Sequence, residues 1–376
     1  MTSNASTGKT KLKIVMAGGG TGGHIFPAIA IANALKRKVP EVEILFVGAK
    51  GKMEMEKVPE AGYPIEGLDI AGFNRSSLMR NIGLPFKLMK SFLQVRSIVK
   101  RFRPDAVVGV GGYSSFPVLR YAQAEGIPTF IHESNSFAGK SNILLGKKAR
   151  KIYVAIDGME AFFPAEKIMI SGNPVRQSIA SCTISREEGI RFFGLDSGKK
   201  TLVVIGGSLG AKSINEAIAQ SLDKLERNGI QLVWQTGKPF AEEGRASAKG
   251  RKGVWANDFI RQVEYAFAAA DLVISRSGAM SVGELSLMKK PVIFVPYPFA
   301  AEDHQTVNAR RLCDVDAALM VKDGDAKEKL VDTAVGLLED DERRQRLSRN
   351  ISSFGIGDAD ETVADDILNS IGYRHI

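Results

Sequence analysis

Met16-Ala17-Gly18-Gly19-Gly20-Thr21-Gly22-Gly23-His24-Ile25-Phe26-Pro27-Ala28 sets five glycines between an apolar run, Ile14 to Ala17, and a helix-like stretch from Ile25 to Leu35. A strand that ends in glycines and passes at once into a helix belongs to a parallel α/β sheet. Glycine lets the backbone turn tightly and approach an anion, and the helix N-terminus adds unpaired N–H groups and a positive dipole end. The stretch is therefore expected to face phosphate or diphosphate, with His24 as a titratable group in the first helical turn. The same pattern returns at Thr201-Leu202-Val203-Val204-Ile205-Gly206-Gly207-Ser208-Leu209-Gly210-Ala211, followed by Lys212 and a helix from about Ser213 to Leu225. The chain reads as two similar halves.

Working outward, β-branched runs place strands near 12–17, 42–47, 106–110, 128–131, 152–155 and 168–171, then 201–206, 231–235, 272–275, 292–296 and 318–321. Short continuous apolar strands separated by amphipathic segments indicate parallel sheets buried on both faces, a doubly wound α/β architecture present twice. The break falls at Ser171-Gly172-Asn173-Pro174-Val175-Arg176, where proline after asparagine discourages helix. The expected domains are 1–172 and 173–356. A C-terminal helix in 357–376 is expected to pack back on the first domain through Thr362, Val363, Ile367 and Leu368. Ligands of such folds bind at the carboxyl ends of the strands, here in a cleft between two facing sheets.

The 376 residues are 44% hydrophobic and 25% charged, as in a globular chain of two ordinary domains. The apolar stretch Val292 to Ala301 carries two prolines and falls short of the roughly 20 residues a bilayer span needs. Met1 to Lys13 is polar and leads straight into the first strand, so no signal peptide is expected. Cys182 and Cys313 stand apart without metal-ligand spacing, which fits a reducing compartment and no structural zinc. Lys and Arg outnumber Asp and Glu by 51 to 42, a net charge of +9 that favours an anionic partner. Nucleic acid, an anionic lipid headgroup and a diphosphate substrate all qualify, but no nucleic-acid recognition motif or stacking platform is present.

Gly18, Gly20 and Gly23 satisfy G-x-G-x-x-G, so a dinucleotide dehydrogenase has to be considered. The carboxylate that would hold the ribose at the end of the second strand is missing, since Ile44-Leu45-Phe46-Val47 runs into Gly48-Ala49-Lys50. Lys50 keeps an NADP alternative open. Neither glycine loop ends in Gly-Lys-Ser/Thr, which argues against a Walker-type ATPase. Arg276-Ser277-Gly278-Ala279-Met280-Ser281-Val282-Gly283-Glu284 follows a strand and opens a helix. Its amides near Ala279 to Ser281 suit a diphosphate, and Glu284 one turn on suits two ribose hydroxyls. The competing assignment for Glu284 is a solvated first-turn carboxylate favoured by the helix dipole. Asp303-His304-Gln305-Thr306-Val307-Asn308 suits hexose hydroxyls, which need donors and acceptors, unless Asp303 is an ordinary helix cap.

Taken together these segments resemble the MurG family of peptidoglycan N-acetylglucosaminyltransferases. The carrying motifs are Gly19 to His24, Gly111-Gly112-Tyr113-Ser114-Ser115-Phe116-Pro117, His132-Glu133-Ser134-Asn135, Gly172 to Arg176, Gly206 to Ala211, Arg276 to Glu284, and Asp303-His304-Gln305 with Asn308. They follow the family's order across nearly the whole chain. The resemblance implies a GT-B fold of two Rossmann-like domains and a glycosyltransferase; no cofactor is expected, and no metal, since helix N-termini and an arginine can supply the positive potential. Its donor would be UDP-N-acetylglucosamine. Its acceptor would be the 4-hydroxyl of N-acetylmuramic acid in undecaprenyl-pyrophosphoryl-muramyl-pentapeptide, with inversion at the anomeric carbon. A related glycolipid transferase with another acceptor, and a non-catalytic nucleotide-sugar-binding module, are the rival readings.

The resemblance also assigns residues. Arg176 and Ser208 would contact the donor, Ile260 would meet uracil through its backbone, and Glu284 would hold the ribose. The backbone and side chains of Ala279, Met280 and Ser281 would hold the diphosphate region, and Val282 and Gly283 beyond them count among the substrate-binding residues. Gln305 and Asn135 would read the sugar, and Thr21, Gly22 and Gly23 would line the opposite side. Two positions depart from the family pattern: Leu209 and Ser134 each stand where glutamine is usual. His24 is the candidate base because an imidazole titrates near working pH, while His132 is expected to orient its own loop. Between Phe73 and Arg103, apolar Ile82, Leu84, Phe86, Leu88, Met89, Phe92 and Leu93 alternate with Arg75, Arg80, Lys87, Lys90, Arg96, Lys100 and Arg101. This pattern suits peripheral binding to an anionic membrane surface, expected at the cytoplasmic face of the plasma membrane, unless it is simply a helix covering the first sheet.

Overall fold

A computed structural model of the protein describes residues 11–71, 84–207 and 209–373, apart from the side chains of Pro85 and Ala301. Among the described residues thirteen strands form two parallel sheets. The first contains β1 Lys13–Ala17, β2 Glu43–Ala49, β3 Ile65–Leu68, β4 Ala106–Gly109, β5 Thr129–Glu133, β6 Lys151–Val154 and β7 Ile168–Ile170, in the order β3-β2-β1-β4-β5-β6-β7. The second contains β8 Lys200–Ile205, β9 Ile230–Gln235, β10 Val254–Asn257, β11 Leu272–Ser275, β12 Val292–Phe294 and β13 Leu319–Met320, in the order β10-β9-β8-β11-β12-β13. The two orders coincide strand for strand apart from the extra β7. The two-half repeat expected from the glycine loops is therefore a repeat of topology.

The apolar runs lie in the middle of each sheet because both faces there are covered. Successive residues of a strand point to opposite faces, so Ile14 and Met16 of β1 join one core with Ile44, Phe46 and Phe130. Val15 and Ala17 join the other, with Leu45, Val47 and Ile131. Register follows the same logic: Ile14 sits beside Ile44 of β2 on one side and Ala106 of β4 on the other. Two strands lie outside the expected set, β3 and β10, and each is the edge of its sheet. An edge strand is only half covered, so Ile65-Glu66-Gly67-Leu68 and Val254-Trp255-Ala256-Asn257 lack the continuous apolar run that marks a central strand.

Contacts divide the chain into two compact units. One comprises Met1–Ser134, Ala138–Pro174 and Asp358–Ile376, the other Asn135–Phe137 and Val175–Gly357. Within the first unit the C-terminal helix Ala359–Ser370 lies on the helix Gly22–Lys38 that follows the first glycine loop. Val363, Ala364, Ile367 and Leu368 enter the core that holds Ile14 and Phe130, while Thr362 stays at its margin. Polar bonds hold the helix at its first turn and its middle. Arg37 pairs with Asp360 at 2.8 Å and Glu361 at 2.5 Å, Lys38 pairs with Asp365 at 2.8 Å, and the Tyr153 hydroxyl donates to Asp366 at 2.8 Å.

The last segment of the chain thus completes the core of the first unit. Ile367 is fully buried there. Ile367→Ala is expected to lower stability by about 2–5 kcal/mol, read as a lower urea midpoint of the unfolding transition.

Candidate functional site

Parallel strands deliver their carboxyl-end loops to one end of each sheet, and the helices on either side of β1 and β4, or of β8 and β11, diverge there. In the first unit the loop after β1 meets the loop after β4. Gly18, Gly19 and Gly20 have φ of 153°, 154° and 88°, which only glycine adopts without strain. A Cβ on Gly112 would fall 2.3 Å from the Gly19 carbonyl oxygen, and one on Gly111 would fall 2.8 Å from the His24 ring. The Gly111-Gly112 pair therefore seats both the first glycine loop and the histidine.

His24 Nδ1 lies 3.1 Å from the Gly19 carbonyl oxygen and 3.2 Å from Thr21 Oγ1. A carbonyl has no proton to give, so Nδ1 donates and the lone pair of the neutral ring sits on Nε2. Thr21 is the residue before the helix, and its carbonyl accepts from the His24 and Ile25 amides. Gly22 and Gly23 occupy the first helical turn, where helix geometry provides no partner for an N–H. Contrary to the expectation of an open anion loop, a carboxylate of the chain already occupies part of it. Glu54, 1% exposed, accepts from the Gly20 amide at 2.9 Å and the Ala49 amide at 3.0 Å. This is an acidic group close behind β2, but backbone amides consume it, so it is not a ribose ligand. Lys50, the basis of the NADP alternative, is paired with Asp69 at 2.8 Å.

His132, the penultimate residue of β5, is fully buried. Its Nε2 donates to the Gly172 carbonyl at 3.1 Å, and Ser134 Oγ donates to its Nδ1 at 3.3 Å. Burial, with a smaller contribution from His24, lowers its pKa from the ordinary 6.5 to about 4, so the ring is neutral. Ser134, in place of the glutamine usual in the resembled family, thus serves the histidine beside it. Glu133 accepts from the Gly139 amide at 3.1 Å and from Asn142 at 2.9 Å, which closes the same loop.

In the second unit Glu284 is 4% exposed, so the solvated-carboxylate assignment fails. Arg176 Nε donates to Glu284 Oε1 at 2.6 Å. Burial pushes the Glu284 carboxyl above the ordinary range and Arg176 pulls it back only in part. Glu284 stands on the helix Ala279–Leu287, whose first-turn amides are those of Ala279, Met280 and Ser281. Val282 donates its own amide to Gly278 at 3.0 Å, and Gly283 lies one residue deeper in the helix. These two expected substrate-binding positions therefore have no N–H to offer a diphosphate. At Ile260 the amide donates to Gln235 Oε1 at 2.9 Å, so the backbone group it has for a base edge is its carbonyl. Gln235 also donates to the Gly207 carbonyl at 2.9 Å, tying the second glycine loop to the Ile260 loop.

Gln305 Oε1 accepts from the Tyr297 amide at 3.0 Å and its carbonyl accepts from Ser277 Oγ at 2.8 Å, which leaves the amide NH₂ as the group it can offer a hydroxyl. Glu302 and Asp303 just before it have φ of 54° and 52°, and Asp303 does not cap the following helix through its side chain. Consecutive left-handed non-glycine residues carry strain of the kind stored at functional loops. Asn308, 5% exposed, donates to the Ser277 carbonyl at 3.1 Å and accepts from the Ser136 amide at 3.1 Å, which fixes the loop that carries Asn135. Leu209 is 77% exposed. Ser208 lies outside the described residues, as do Phe73, Arg75, Arg80 and Ile82.

Glu54, Gln235 and the bridging role of Asn308 have no signal in the sequence beyond a polar residue near a strand end. Three Asp-x-Asp triplets occur, at 314–316, 323–325 and 358–360. Each has a carboxylate paired with arginine: Asp316 with Arg346 at 2.6 Å, Asp323 with Arg276 at 2.6 Å, and Asp360 with Arg37 at 2.8 Å. On the helix Leu84–Phe102, Val95, Ile98 and Val99 enter the core of the first unit. Phe86, Met89 and Leu93, on another stripe, are 73%, 61% and 63% exposed. Among the described residues no helix is long and apolar enough to cross a membrane.

Residues 14–154 match the glycosyltransferase family 28 N-terminal domain and residues 201–363 the glycosyltransferase family 28 C-terminal domain. The chain is 53% identical, over 95% of its length and 96% of the relative's, to the UDP-N-acetylglucosamine–N-acetylmuramyl-(pentapeptide) pyrophosphoryl-undecaprenol N-acetylglucosamine transferase of Phocaeicola vulgatus. Among solved structures, Acinetobacter baumannii MurG superposes with a TM-score of 0.76 at 29% identity, covering 96% of this chain and all of that one. The calicheamicin glycosyltransferase CalG4, at 15% identity and a TM-score of 0.68 over 97% of this chain and 99% of its own, shares the fold. The architecture is the GT-B type expected from the sequence.

The neutral, buried His132 makes stability pH-dependent. Its folded pKa is depressed, so its contribution is complete above about 6.5 and is lost as pH falls toward 4, where an unfolded histidine takes up a proton and this one does not. A shift of that size corresponds to about 3 kcal/mol at the acid end. Urea unfolding at pH 7 and pH 4.5 is expected to show a smaller acid loss for His132→Gln than for the wild type.

Proposed function

The chain belongs to the MurG family of N-acetylglucosamine transferases, and we propose on that premise that it moves N-acetylglucosamine from UDP-N-acetylglucosamine to the 4-hydroxyl of the N-acetylmuramic acid in lipid I, giving lipid II. The observation that carries this reading is the set of donor motifs at the carboxyl ends of the second sheet. A buried acid on an arginine, a helix N-terminus and a polar loop suit ribose, diphosphate and hexose in turn. In this reading the first unit takes the acceptor and the second unit takes the donor.

Inversion is a single displacement. His24 Nε2 accepts the proton of the acceptor 4-hydroxyl, whose oxygen bonds to the anomeric carbon from the face opposite UDP. The anomeric C–O bond breaks and its electron pair stays with the β-phosphate oxygen. The Ala279, Met280 and Ser281 amides, the helix dipole and Arg176 meet the charge that develops there, as preorganised dipoles do at a leaving group. Glu284 accepts from the ribose hydroxyls, and the Ile260 carbonyl accepts from the imide N–H of uracil. The Gln305 NH₂ donates to a sugar hydroxyl and Asn135 reads another; Ser208 contacts the donor as the family resemblance implies. Thr21, Gly22 and Gly23 line the acceptor side.

A lipid-linked acceptor has to be met at a membrane surface, here the cytoplasmic face of the inner membrane. The exposed Phe86, Met89 and Leu93 stand among Lys87, Lys90, Arg96, Lys100 and Arg101, a shallow apolar stripe with cations beside it.

Transfer of labelled sugar to a synthetic lipid I analogue is expected from the wild type in EDTA. His24→Ala should lower kcat on the order of 100-fold or more with donor binding intact. Glu284→Gln should raise the donor KM about tenfold or more. Donor binding by the wild type without transfer to lipid I would overturn the assignment. For the membrane, cosedimentation with anionic vesicles at low salt should fall about tenfold or more in a Phe86→Ser/Met89→Ser/Leu93→Ser variant that keeps donor binding. Unchanged sedimentation would remove this stripe from the membrane contact.

A further inference from the structure

The Gly19–Gly20 peptide group is held at both ends. Its N–H, that of Gly20, donates to Glu54 Oε2 at 2.9 Å. Its C=O, that of Gly19, accepts from His24 Nδ1 at 3.1 Å. A trans peptide is planar, with the N–H and C=O pointing in opposite directions, so a group that fixes one end fixes the other. We propose that Glu54 is a positioning residue for His24: its buried carboxylate acts through the Gly19–Gly20 peptide to orient the imidazole and keep the ring proton on Nδ1. Nε2 then meets the acceptor hydroxyl as the basic nitrogen. The catalytic consequence rests on His24 being the base; the orientation does not.

Glu54 suits this role by its chemistry. It opens the helix Glu54–Glu60, and its second oxygen, Oε1, accepts from the Ala49 amide at 3.0 Å at the end of β2. One side chain thus serves two backbone amides from two strand ends, which takes two acceptor atoms and no donor, as only a carboxylate provides. The peptide between Glu54 and His24 has no room to turn. A Cβ on Gly19 would fall 2.2 Å from Glu54 Oε1, and one on Gly112 would fall 2.3 Å from the Gly19 oxygen. An anionic acceptor on the N–H also polarises the amide, raising the electron density of its carbonyl and strengthening the bond from Nδ1. In a serine-hydrolase triad a carboxylate touches Nδ1 directly; here one neutral peptide group stands between them.

The test uses the full-length protein, labelled with nitrogen-15. Long-range proton–nitrogen correlation reports the tautomer of each histidine, and the His24 signals are identified by their loss in His24→Asn. The wild type is expected to hold His24 with the proton on Nδ1. Glu54→Gln has one acceptor oxygen where two amides need one each, and it lacks the charge. It is expected to shift His24 toward a mixture of tautomers. It should also lower kcat on the order of 10–100-fold, with the KM for UDP-N-acetylglucosamine changed less than about threefold. Glu54→Asp keeps the charge and both oxygens one methylene short, and should recover part of both effects. A wild-type His24 protonated on Nε2 overturns the proposal even if no Glu54 variant folds. So does a folded Glu54→Gln protein with the Nδ1 tautomer and kcat unchanged. A tautomer shift with kcat unchanged supports the positioning and instead removes His24 from the role of base.

Discussion

All strands of each sheet run the same way, and the rest of the molecule depends on that constraint. Parallel neighbours cannot be joined by a hairpin, so each connection crosses a face through a helix and buries it. Both faces of β1 and β8 become core, and the loops that leave their carboxyl ends are the places where polar groups can gather. The repeated strand order places β1 beside β4 and β8 beside β11, so the loops diverge at equivalent points in the two sheets. Chemistry collects there because the first-turn amides of the helices that follow the strands lie at that end of each sheet.

The two halves use the same loop differently. In the first, the glycines let the backbone close around a carboxylate of the chain, and the loop becomes a rigid seat for an imidazole. In the second, side-chain amides knit the loops to one another: Gln235 ties the Gly207 carbonyl to the Ile260 amide, and Asn308 joins the Ser277 and Ser136 segments. Each such bond removes a polar atom from the set that could meet a ligand and fixes the geometry of those that remain. The groups left to meet a ligand are thereby fewer and better held than the motifs suggest: Ile260 has a carbonyl to offer and Gln305 an NH₂.

Burial sets the electrostatics. Glu284 and His132 are both driven toward their neutral forms by desolvation. Their partners differ in what they can do about it. Arg176 supplies a charge that partly restores the Glu284 carboxylate, whereas the Gly172 carbonyl and the Ser134 hydroxyl offer His132 only neutral bonds. A carboxylate that stays ionisable in a buried place suits a ligand rich in hydroxyls, and a neutral histidine suits a joint in the backbone.

Composition and pattern alone determined that this chain is a doubled α/β protein, because a central strand covered on both faces has to be a continuous apolar run and a tight strand-to-helix turn has to be glycine. The ordered motifs also determined the family. The edge strands β3 and β10 were not legible, since half-covered strands carry mixed residues. Nor were the partners of the site residues. That Glu54 belongs to the loop at Gly20, 34 positions away, and Arg176 to Glu284, 108 away, was decided only when the helices packed. The physical reason is that a sequence pattern records which surface a residue faces, while a hydrogen bond depends on the angle and distance at which distant elements meet.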